Sequence, residues 1–369
     1  MKVLFITHYS TLYGANRSML GLAEDMIERY GIDVYIICPK KGNIIERANY
    51  IGAHVSCFPY ISWRAERFCF IRRIVRKIIN PFIYIFICRY VRRVSPDVIH
   101  SNSSVTDLGV ALSESLDTPC VWHLREFGEE DYNLKYLVSD KMIERYYAKA
   151  KSIVAVSEYL KKYYLDKYSE IKIDVVYNGI TSIDVKKEIH EGCNFCIVGK
   201  ITEKKGQFDC IKAIKRLACS FDSGFHLYIV GDGKRKYVSI LKSYIKKNNI
   251  EKYISFIGYS DNVAQILGNM DVGILASDYE AFGRVTVEYA SAELFVIASD
   301  KGGTKEIIGD NALYYKYGDY VTLAEQMKYC IDNSDLVKSN LKKIKNYVDQ
   351  KFSQDVCTDS IMKIYKDLA

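Results

Sequence analysis

The sequence between residues 271 and 290 is DVGILASDYEAFGRVTVEYA. It opens with the short apolar run Val272–Leu275, which has the length of a buried strand. A turn containing Gly283 follows, and the apolar spacing from Val285 to Ala292 is typical of a helix. A strand that passes through a glycine turn into a helix is the repeating unit of a parallel α/β sheet.

The same alternation of short β-rich runs and longer helical patterns extends over the whole chain. In the first half it predicts strands at Lys2–Thr7, Asp33–Cys38, His54–Phe58, Asp97–His100, Cys120–His123, Ser152–Val156 and Asp174–Val176. In the second half it predicts strands at Phe195–Val198, His226–Val230, Ile254–Phe256, Val272–Leu275 and Phe295–Ala298. Helices are predicted at Ala15–Glu28, Lys141–Ala150, Gln207–Cys219, Lys236–Lys247, Val263–Leu267 and Val285–Ala292.

These patterns divide the chain into two domains. A length of 369 residues is too great for one ordinary domain. The polar stretch 178–192 lacks periodicity and is interpreted as the linker. We therefore predict a Rossmann-like domain over residues 1–185 and a second one over residues 193–350. Two doubly wound sheets bind ligands at the carboxyl ends of their strands, where the two halves face each other across a cleft.

The cysteines and the N-terminus indicate an intracellular protein. The chain has 11 cysteines, an odd number, and most lie within apolar runs, which favours reduced core thiols. The pair Cys193 and Cys196 has no partner pair for zinc. The apolar run Val3–Thr7 is too short for a signal-peptide core and leads into a glycine-containing loop. We therefore expect a buried first strand and a cytoplasmic location.

The paired glutamates of residues 278–290 carry the strongest functional signal. A helix that begins after Gly283 presents backbone amides suited to a diphosphate, and Gly283 allows close approach of the ligand. Glu288, about one turn into the helix, can accept hydrogen bonds from a ribose diol. Glu280, before the helix, can accept from the hydroxyls of a sugar beyond the phosphates. The alternative is that both acidic residues only complement the helix dipole.

This spacing resembles the paired-glutamate motif of glycosyltransferase family 4, whose members are retaining enzymes with two domains. The resemblance implies the GT-B fold, an α/β architecture of two Rossmann-like doubly wound domains, with the helix in residues 351–369 crossing back to the first domain. It also implies that Lys200 and Lys205 bind the diphosphate of the donor, although solvated loop lysines are the alternative. The donor-binding residues that follow are Gly14, Lys200, Lys205, Gly258, Tyr259, Ala281, Phe282, Gly283 and Glu288.

The first half supplies the other residues that the resemblance implies. Tyr13-Gly14-Ala15 resembles the Gly-rich first loop of the family, with Tyr13 where many members have glycine. His123 resembles the family's active-site histidine, and together with Glu280 it is the predicted catalytic pair; a core histidine is the alternative. Arg125, Glu126 and Asn102 are expected on the acceptor side. His100 is expected to be structural, with Ser101 and Asn102 facing the cleft.

The function implied is transfer of a hexose or N-acetylhexosamine from a nucleoside-diphosphate sugar, a UDP-sugar being favoured, to a glycan acceptor. A lipid-linked acceptor in capsule or O-antigen biosynthesis is expected. No DxD-type pair is present in the right context, so no metal and no other cofactor is expected. The alternatives are a sugar-nucleotide epimerase, a phosphorylase or a non-catalytic binding module. A nicotinamide enzyme is disfavoured because no GxGxxG follows the first strand.

The net charge of +7 is concentrated in one segment. Residues 64–93 contain nine basic residues and one acidic residue, whereas the other 339 residues contain 43 basic and 44 acidic groups. On a helix the apolar residues Phe68, Ile71, Val75 and Ile78 share a face, with Arg72, Arg73, Arg76 and Lys77 to its sides. This pattern predicts an interfacial helix on an anionic membrane, and the alternative is a core helix with a basic outer side. Nucleic acid is not an expected partner, since the aromatic residues do not interleave with the charges.

Overall fold

The computed structural model describes residues 1–168 and 170–368 of the chain. These residues form two compact units, the first comprising residues 1–180 together with the C-terminal residues from Gln354, and the second comprising Thr181–Ser353. Each unit is built on one large parallel sheet.

The first unit has a seven-stranded parallel sheet of order β3-β2-β1-β5-β6-β8-β9. Its strands are β1 Lys2–Ile6, β2 Asp33–Cys38, β3 His54–Cys57, β5 Val98–Ser101, β6 Cys120–Leu124, β8 Ser152–Ala155 and β9 Asp174–Val175, and the short strands β4 Arg64–Ala65 and β7 Lys135–Tyr136 pair separately. Its helices are α1 Gly14–Tyr30, α2 Ile44–Tyr50, α3 Cys69–Val94, α4 Leu108–Leu116, α5 Glu129–Tyr132, α6 Asp140–Lys149, α7 Glu158–Lys167 and the last helix of the chain, α16 Gln354–Leu368.

The second unit has a six-stranded parallel sheet of order β12-β11-β10-β13-β14-β15. Its strands are β10 Cys193–Val198, β11 Phe225–Val230, β12 Ile254–Gly258, β13 Val272–Leu275, β14 Phe295–Ser299 and β15 Leu313–Tyr315. Its helices are α8 Gln207–Leu217, α9 Arg235–Lys247, α10 Val263–Leu267, α11 Arg284–Ser291, α12 Thr304–Ile308, α13 Tyr320–Asp332, α14 Ser334–Lys338 and α15 Leu341–Lys351.

The hydrophobic pattern explains both sheets. Their central strands are apolar on both faces because helices cover both sides, as in Val3–Ile6, where every residue is buried. In the second unit Gly273 of β13 lets helix α11 approach the sheet, because a Cβ there would lie 2.2 Å from the ring of Tyr289. Eight of the cysteines are buried and all eleven are free thiols, as expected.

Helix α16 completes the first unit by packing against α1. Its buried side chains include Ile361, Met362 and Tyr365, which join the same hydrophobic cluster as Met19 and Leu22 of α1. Tyr365 is fully buried and extends to His100 at the end of β5.

All the strands predicted from the sequence are present, and the predicted α/β class with two parallel sheets is confirmed. The interpretation of residues 178–192 as linker was wrong at its start. Asn178 is only 6% exposed and hydrogen-bonded to Arg125, so the first unit continues to Ile180.

Most of the basic segment, from Cys69 onward, forms α3, which runs through Pro81 without ending. The predicted arrangement of its side chains was partly wrong. Phe68 precedes the helix in a left-handed conformation, and Arg76 is buried against Asp107 rather than exposed at the side. No helix in the described part of the chain has the length and apolarity that a bilayer crossing requires.

Candidate functional site

The second unit brings Lys205 and Glu280 together. The Nζ atom of Lys205 donates to Oε2 of Glu280 over 2.7 Å, and Ser277 Oγ donates to the same oxygen over 3.3 Å. Lys205 lies on the loop after β10, and Glu280 lies on the loop after β13. These strands are neighbours at the point where the strand order reverses, which is where open parallel sheets bind ligands.

Glycines allow the two loops to approach so closely. Gly206, directly after Lys205, has a φ of +71°, and a Cβ there would lie 2.0 Å from the carbonyl oxygen of Ala276. The amide of Asp278 donates to the carbonyl of Lys204 over 3.0 Å and links the same two loops. Any side chain at position 206 would separate them.

A third loop, after β14, supports the turn that contains Glu280. The amide of Gly303 donates to the carbonyl of Glu280 over 2.9 Å. A Cβ on Gly302, whose φ is +101°, would lie 2.5 Å from that carbonyl oxygen. The loop after β14 therefore holds the backbone of residue 280, and position 302 in that loop requires glycine.

Helix α11 begins at this turn. Gly283 caps it in the left-handed conformation, and Glu288 lies in its second turn with a side chain that is 18% exposed. Arg284 Nη2 lies 3.8 Å from Glu288 Oε1, on the same side of the helix. The positive end of the α11 dipole lies beside the Lys205–Glu280 pair, and a helix N-terminus favours negative charge.

The remaining predicted donor residues of the second unit lie at the carboxyl ends of its strands or in the loops that follow them. Lys200 follows β10 with an exposed side chain, and its carbonyl accepts a hydrogen bond from Gln207. Gly258 ends β12, and Tyr259 beyond it is 46% exposed and donates to Asp261. Ala281 is half-buried. Phe282 is 2% exposed and packs on Phe352, so its backbone rather than its ring remains for a ligand.

The first unit contains a buried hydrogen-bonded chain that ends at His123. His123 and His100 have no exposed surface. Nε2 of His100 lies 3.1 Å from Nδ1 of His123, and Nδ1 of His100 lies 2.6 Å from the hydroxyl of Tyr365. Nη2 of Arg125 lies 3.3 Å from Nδ1 of His123.

Arg125 determines where the protons of this chain lie. A guanidinium has donors only, so Nδ1 of His123 must accept, and the ring proton is on Nε2. Nε2 of His100 then faces an acceptor and must carry its own proton. Nδ1 of His100 consequently accepts from the Tyr365 hydroxyl. The tautomers are assigned from this network rather than from observed hydrogens.

The other ring nitrogen of His123, Nε2, is thus an N–H donor. Among the described residues, Nε2 of His123 is buried without a hydrogen-bond partner. Burial, and after it the charge of Arg125, holds the pKa of His123 well below its ordinary value, and the same two causes lower the pKa of His100. His123 is therefore neutral and able to donate, and it is unsuited to accept a proton.

The other predicted residues of the first unit surround this chain. Asn102 follows β5, accepts from Nε of Arg125 and donates to the carbonyl of Ala15, next to Gly14 at the start of α1. Glu126 is 5% exposed, and its Oε1 accepts from Ser103 Oγ and from both the amide and Oγ of Ser104. These contacts give Glu126 a structural task, the anchoring of the loop after β5, and its acceptor role stays a prediction.

The prediction for Ser101 was wrong. Its side chain is fully buried, and a Cβ added to Gly109 would lie 2.7 Å from the Cβ of Ser101, so Ser101 points into the unit under α4.

Sequence reasoning missed Tyr365, Asn178 and His8. Asn178 follows β9 and accepts from Nη1 of Arg125; its place after a parallel strand could have indicated it. Tyr365 lies in the last helix, α16, where no sequence motif marks it. His8, after β1, has a pKa lowered by burial to about 4.

The first unit also contains a cavity of about 640 Å³ between α3, α4 and α6, and none of the predicted site residues lines it.

Within the described residues, no cluster of three or more His, Cys, Asp or Glu side chains is arranged to hold a metal ion.

Comparison with known families covers nearly the whole chain. The profile described as Glycosyltransferase Family 4 matches residues 13–182, and the profile described as Glycosyl transferases group 1 matches residues 181–350. Among curated proteins, the uncharacterized glycosyltransferase MJ1178 of Methanocaldococcus jannaschii is 30% identical over 284 residues, which are 74% of this chain and 76% of that protein. The N-acetyl-alpha-D-glucosaminyl L-malate synthase of Bacillus anthracis is 28% identical over 162 residues, which are 43% of this chain and 42% of that protein.

Solved structures resemble the chain over its full length. The crystal structure of Anabaena Alr3699/HepE in complex with UDP-glucose matches with a TM-score of 0.81 at 18% identity and covers 100% of both chains. The apo form of the lipopolysaccharide outer core galactosyltransferase WaaB matches with a TM-score of 0.71 at 17% identity, again over 100% of both chains. At such identities the likeness concerns the fold.

Proposed function

This chain belongs to glycosyltransferase family 4 and has the GT-B fold, and from that premise we propose which transfer it performs. It moves a hexose or N-acetylhexosamine from a UDP-sugar to a glycan acceptor, and the anomeric configuration is retained. The solved structure with UDP-glucose and the same fold supports the choice of nucleotide.

The observation that carries the proposal is the contact between Lys205 and Glu280 beside the N-terminus of α11. An ammonium has three donors, so Lys205 can bind a phosphate oxygen while it still holds Glu280. The remaining acceptor capacity of Glu280 then faces the sugar hydroxyls. The pair thus joins the part of the site that binds the diphosphate to the part that positions the sugar.

The other groups of the second unit complete donor binding in this proposal. Glu288, one turn into α11, accepts from the ribose hydroxyls. Lys200 adds a second cation for the diphosphate, as a point charge rather than a bidentate fork. Gly258 and Tyr259 lie at the end of β12 and receive the base. The amides at Ala281–Gly283 stabilise the charge of the leaving diphosphate.

His123 acts in the proposal as a neutral donor to a sugar hydroxyl. With its proton on Nε2 it orients the donor sugar and does not deprotonate the acceptor. In the transfer the acceptor oxygen forms a bond to the anomeric carbon, the bond from that carbon to the phosphate oxygen breaks, and the acceptor proton passes to the leaving phosphate. No side chain forms a covalent intermediate in this scheme.

We propose that the reaction needs no metal ion, since Lys200, Lys205 and the amides at the start of α11 can neutralise the leaving diphosphate. The test is transfer in EDTA followed by addition of Mg²⁺ or Mn²⁺. Unchanged activity is expected, and loss in EDTA with recovery on either metal would contradict it.

The acceptor in this proposal is a lipid-linked glycan at the inner face of the cytoplasmic membrane, in capsule or O-antigen assembly. The support is the exposed, basic helix α3, which is suited to a lipid surface. Arg125 and Asn102 are the proposed acceptor-side contacts of the first unit.

A thermal-shift screen with UDP, GDP, ADP and their sugars tests the donor. Stabilisation by UDP or UDP-sugars above the other nucleotides is expected. Product analysis by NMR with and without a glycan acceptor then tests the reaction. An axial or equatorial anomeric linkage that matches the donor supports retention, whereas isomerised sugar nucleotide without acceptor would indicate an epimerase.

A further inference from the structure

Helix α3 exposes a long apolar face. We use "α3 face" for seven side chains that are each at least 44% exposed, namely Phe70, Ile71, Ile74, Ile78, Phe82, Ile85 and Phe86. They recur every three to four residues, so they lie along one side of the helix. The stripe is roughly 24 Å long at the rise of an α-helix. Monomeric soluble proteins rarely expose such a contiguous apolar patch without a partner for it.

The opposite side of the same helix is held by polar contacts. Arg76 is 9% exposed and paired with Asp107, which is fully buried. Asn80, one turn further, donates through Nδ2 to the carbonyl of Ile61 over 2.9 Å and accepts from the amide of the same residue over 3.0 Å. These contacts fix the rotation of the helix. The apolar face cannot turn inward without breaking a buried ion pair, so its exposure is built into the fold.

Cations surround the α3 face. Arg72 and Lys77 are exposed beside it, and Arg89, Arg92 and Arg93 are exposed at its C-terminal end. Of the nine basic residues in segment 64–93, seven are exposed and two, Arg64 and Arg76, are buried, and the rest of the chain is nearly neutral. An apolar stripe rimmed by cations matches a surface that is apolar below and anionic above.

This charge also argues against the other occupants of such a face. A second copy of the chain packed on it would bring two sets of cations together. A nucleic acid would meet a stripe of Ile and Phe side chains without hydrogen-bonding groups. An anionic lipid bilayer accepts both features at once.

We propose that the α3 face is a membrane-docking surface, on which the helix lies in the plane of an anionic bilayer. The Phe and Ile side chains enter the boundary between headgroups and acyl chains, and the flanking arginines and Lys77 contact lipid phosphates. The inference rests on the proposed function, because docking places the first unit at the membrane that carries the lipid-linked acceptor. The first unit holds the residues proposed for the acceptor side.

The test is flotation of the full-length protein with two kinds of vesicle. One is phosphatidylcholine alone, and the other is phosphatidylcholine with about 30% phosphatidylglycerol, which is anionic. Binding to the anionic vesicles is expected, with a marked decrease at high salt. The triple variant Ile74→Asp, Ile78→Asp, Phe82→Asp should lose at least about tenfold in binding. Replacing Arg89, Arg92 and Arg93 by Gln should cost about fivefold per cation.

Leu336→Asp is the matched control, since Leu336 is 61% exposed on α14 of the second unit and should not affect binding. All the replaced side chains are exposed, so the fold should persist, and circular dichroism checks it. Equal binding of parent and α3 variants, equal binding to neutral vesicles, or no binding at all would overturn the proposal. A dimer that the triple variant abolishes in solution would also overturn it, in favour of a second copy.

The assay contains neither donor nor acceptor, so its outcome is independent of catalysis. Glu288→Ala should float like the parent, although its affinity for nucleotide should be weaker. A protein that floats but does not transfer sugar refutes the proposed function alone. A protein that transfers sugar to a soluble acceptor but does not float refutes the docking surface alone.

Discussion

Nε2 of His100 lies 3.1 Å from Nδ1 of His123, and both rings are fully buried. This contact makes the orientation of His123 depend on His100, and through it on Tyr365 of the C-terminal helix. Tyr365 lies more than 240 residues after His123 in the sequence. It nevertheless helps to position the side chain that we propose contacts the sugar.

Replacing Tyr365 by Phe should lower kcat about tenfold and leave the affinity for UDP unchanged. The change removes the donor to Nδ1 of His100 and leaves that buried atom unsatisfied, which costs about 1–3 kcal/mol. Tyr147→Phe is the matched control, because the Tyr147 hydroxyl is buried without a hydrogen-bond partner in the described part of the chain. Steady-state kinetics and calorimetry check both variants, and equal kcat in the two would refute the positioning role.

Replacing His123 by Ala should lower kcat/KM for transfer by about tenfold to a hundredfold, the value of one strong hydrogen bond to substrate. His123→Asn, which keeps a donor, should recover part of the loss. Because His123 is neutral in the parent enzyme, the pH profile of kcat should show no ionisation of this ring between pH 6 and 8. A pH profile that loses an ionisation step on mutation of His123 would contradict the assignment.

Gly206→Ala should destabilise the second unit by at least about 3 kcal/mol, and there are two causes. The backbone at residue 206 is left-handed, and the new Cβ would collide with the carbonyl oxygen of Ala276. Gly318→Ala separates the two causes, since Gly318 has a φ of +85° with open space around its Cβ position. That control should cost about 1 kcal/mol from the backbone alone. Thermal unfolding measures the difference, and equal shifts for the two variants would show that the loops at Lys205 and Glu280 do not approach as described.

Acidification below pH 6.5 should destabilise the first unit. Burial lowers the pKa of His8, His100 and His123, so these rings stay neutral in the folded protein while the unfolded chain binds protons near pH 6.5. The unfolded state then binds more protons, and stability falls as the pH falls, by up to about 1.4 kcal/mol per pH unit for each ring. Above pH 7 their contribution is constant.

Unfolding midpoints between pH 7.5 and 5.5 test this prediction. His123→Asn should reduce the slope relative to the parent, because it removes one of the rings whose pKa burial lowers. The comparison between variants cancels the contributions of other groups, such as Asp107, whose pKa burial raises. An unchanged slope in His123→Asn would contradict the account.

The sequence was sufficient for the parts of the fold that depend on local pattern. The apolar runs of β1 and β13 predict buried strands, and the glycine turn before α11 predicts the start of a helix. The orientation of α3 was not predictable, because it depends on the pairing of Arg76 with Asp107, a residue 31 positions away.

The candidate site was predictable to a similar extent. Glu280, Glu288 and Lys205 could be proposed as site residues, because their spacing within local motifs resembles that of the family. The contacts around His123 involve Tyr365 and Asn178, which no local motif marks, since only the packing of α16 and the end of β9 bring them near. The hydrogen bonds of Glu126 with Ser103 and Ser104 likewise became visible only with the fold.

The affinity of the protein for UDP, measured by titration calorimetry in parent and variants, tests the central claim most directly. Lys205→Ala and Glu288→Ala should each weaken binding at least about tenfold, the value of a hydrogen bond to a charged group. The controls Lys328→Ala and Glu325→Ala, on the surface of α13, should bind like the parent. Unchanged affinity in both Lys205→Ala and Glu288→Ala would contradict the assignment of this edge of the second sheet as the donor site.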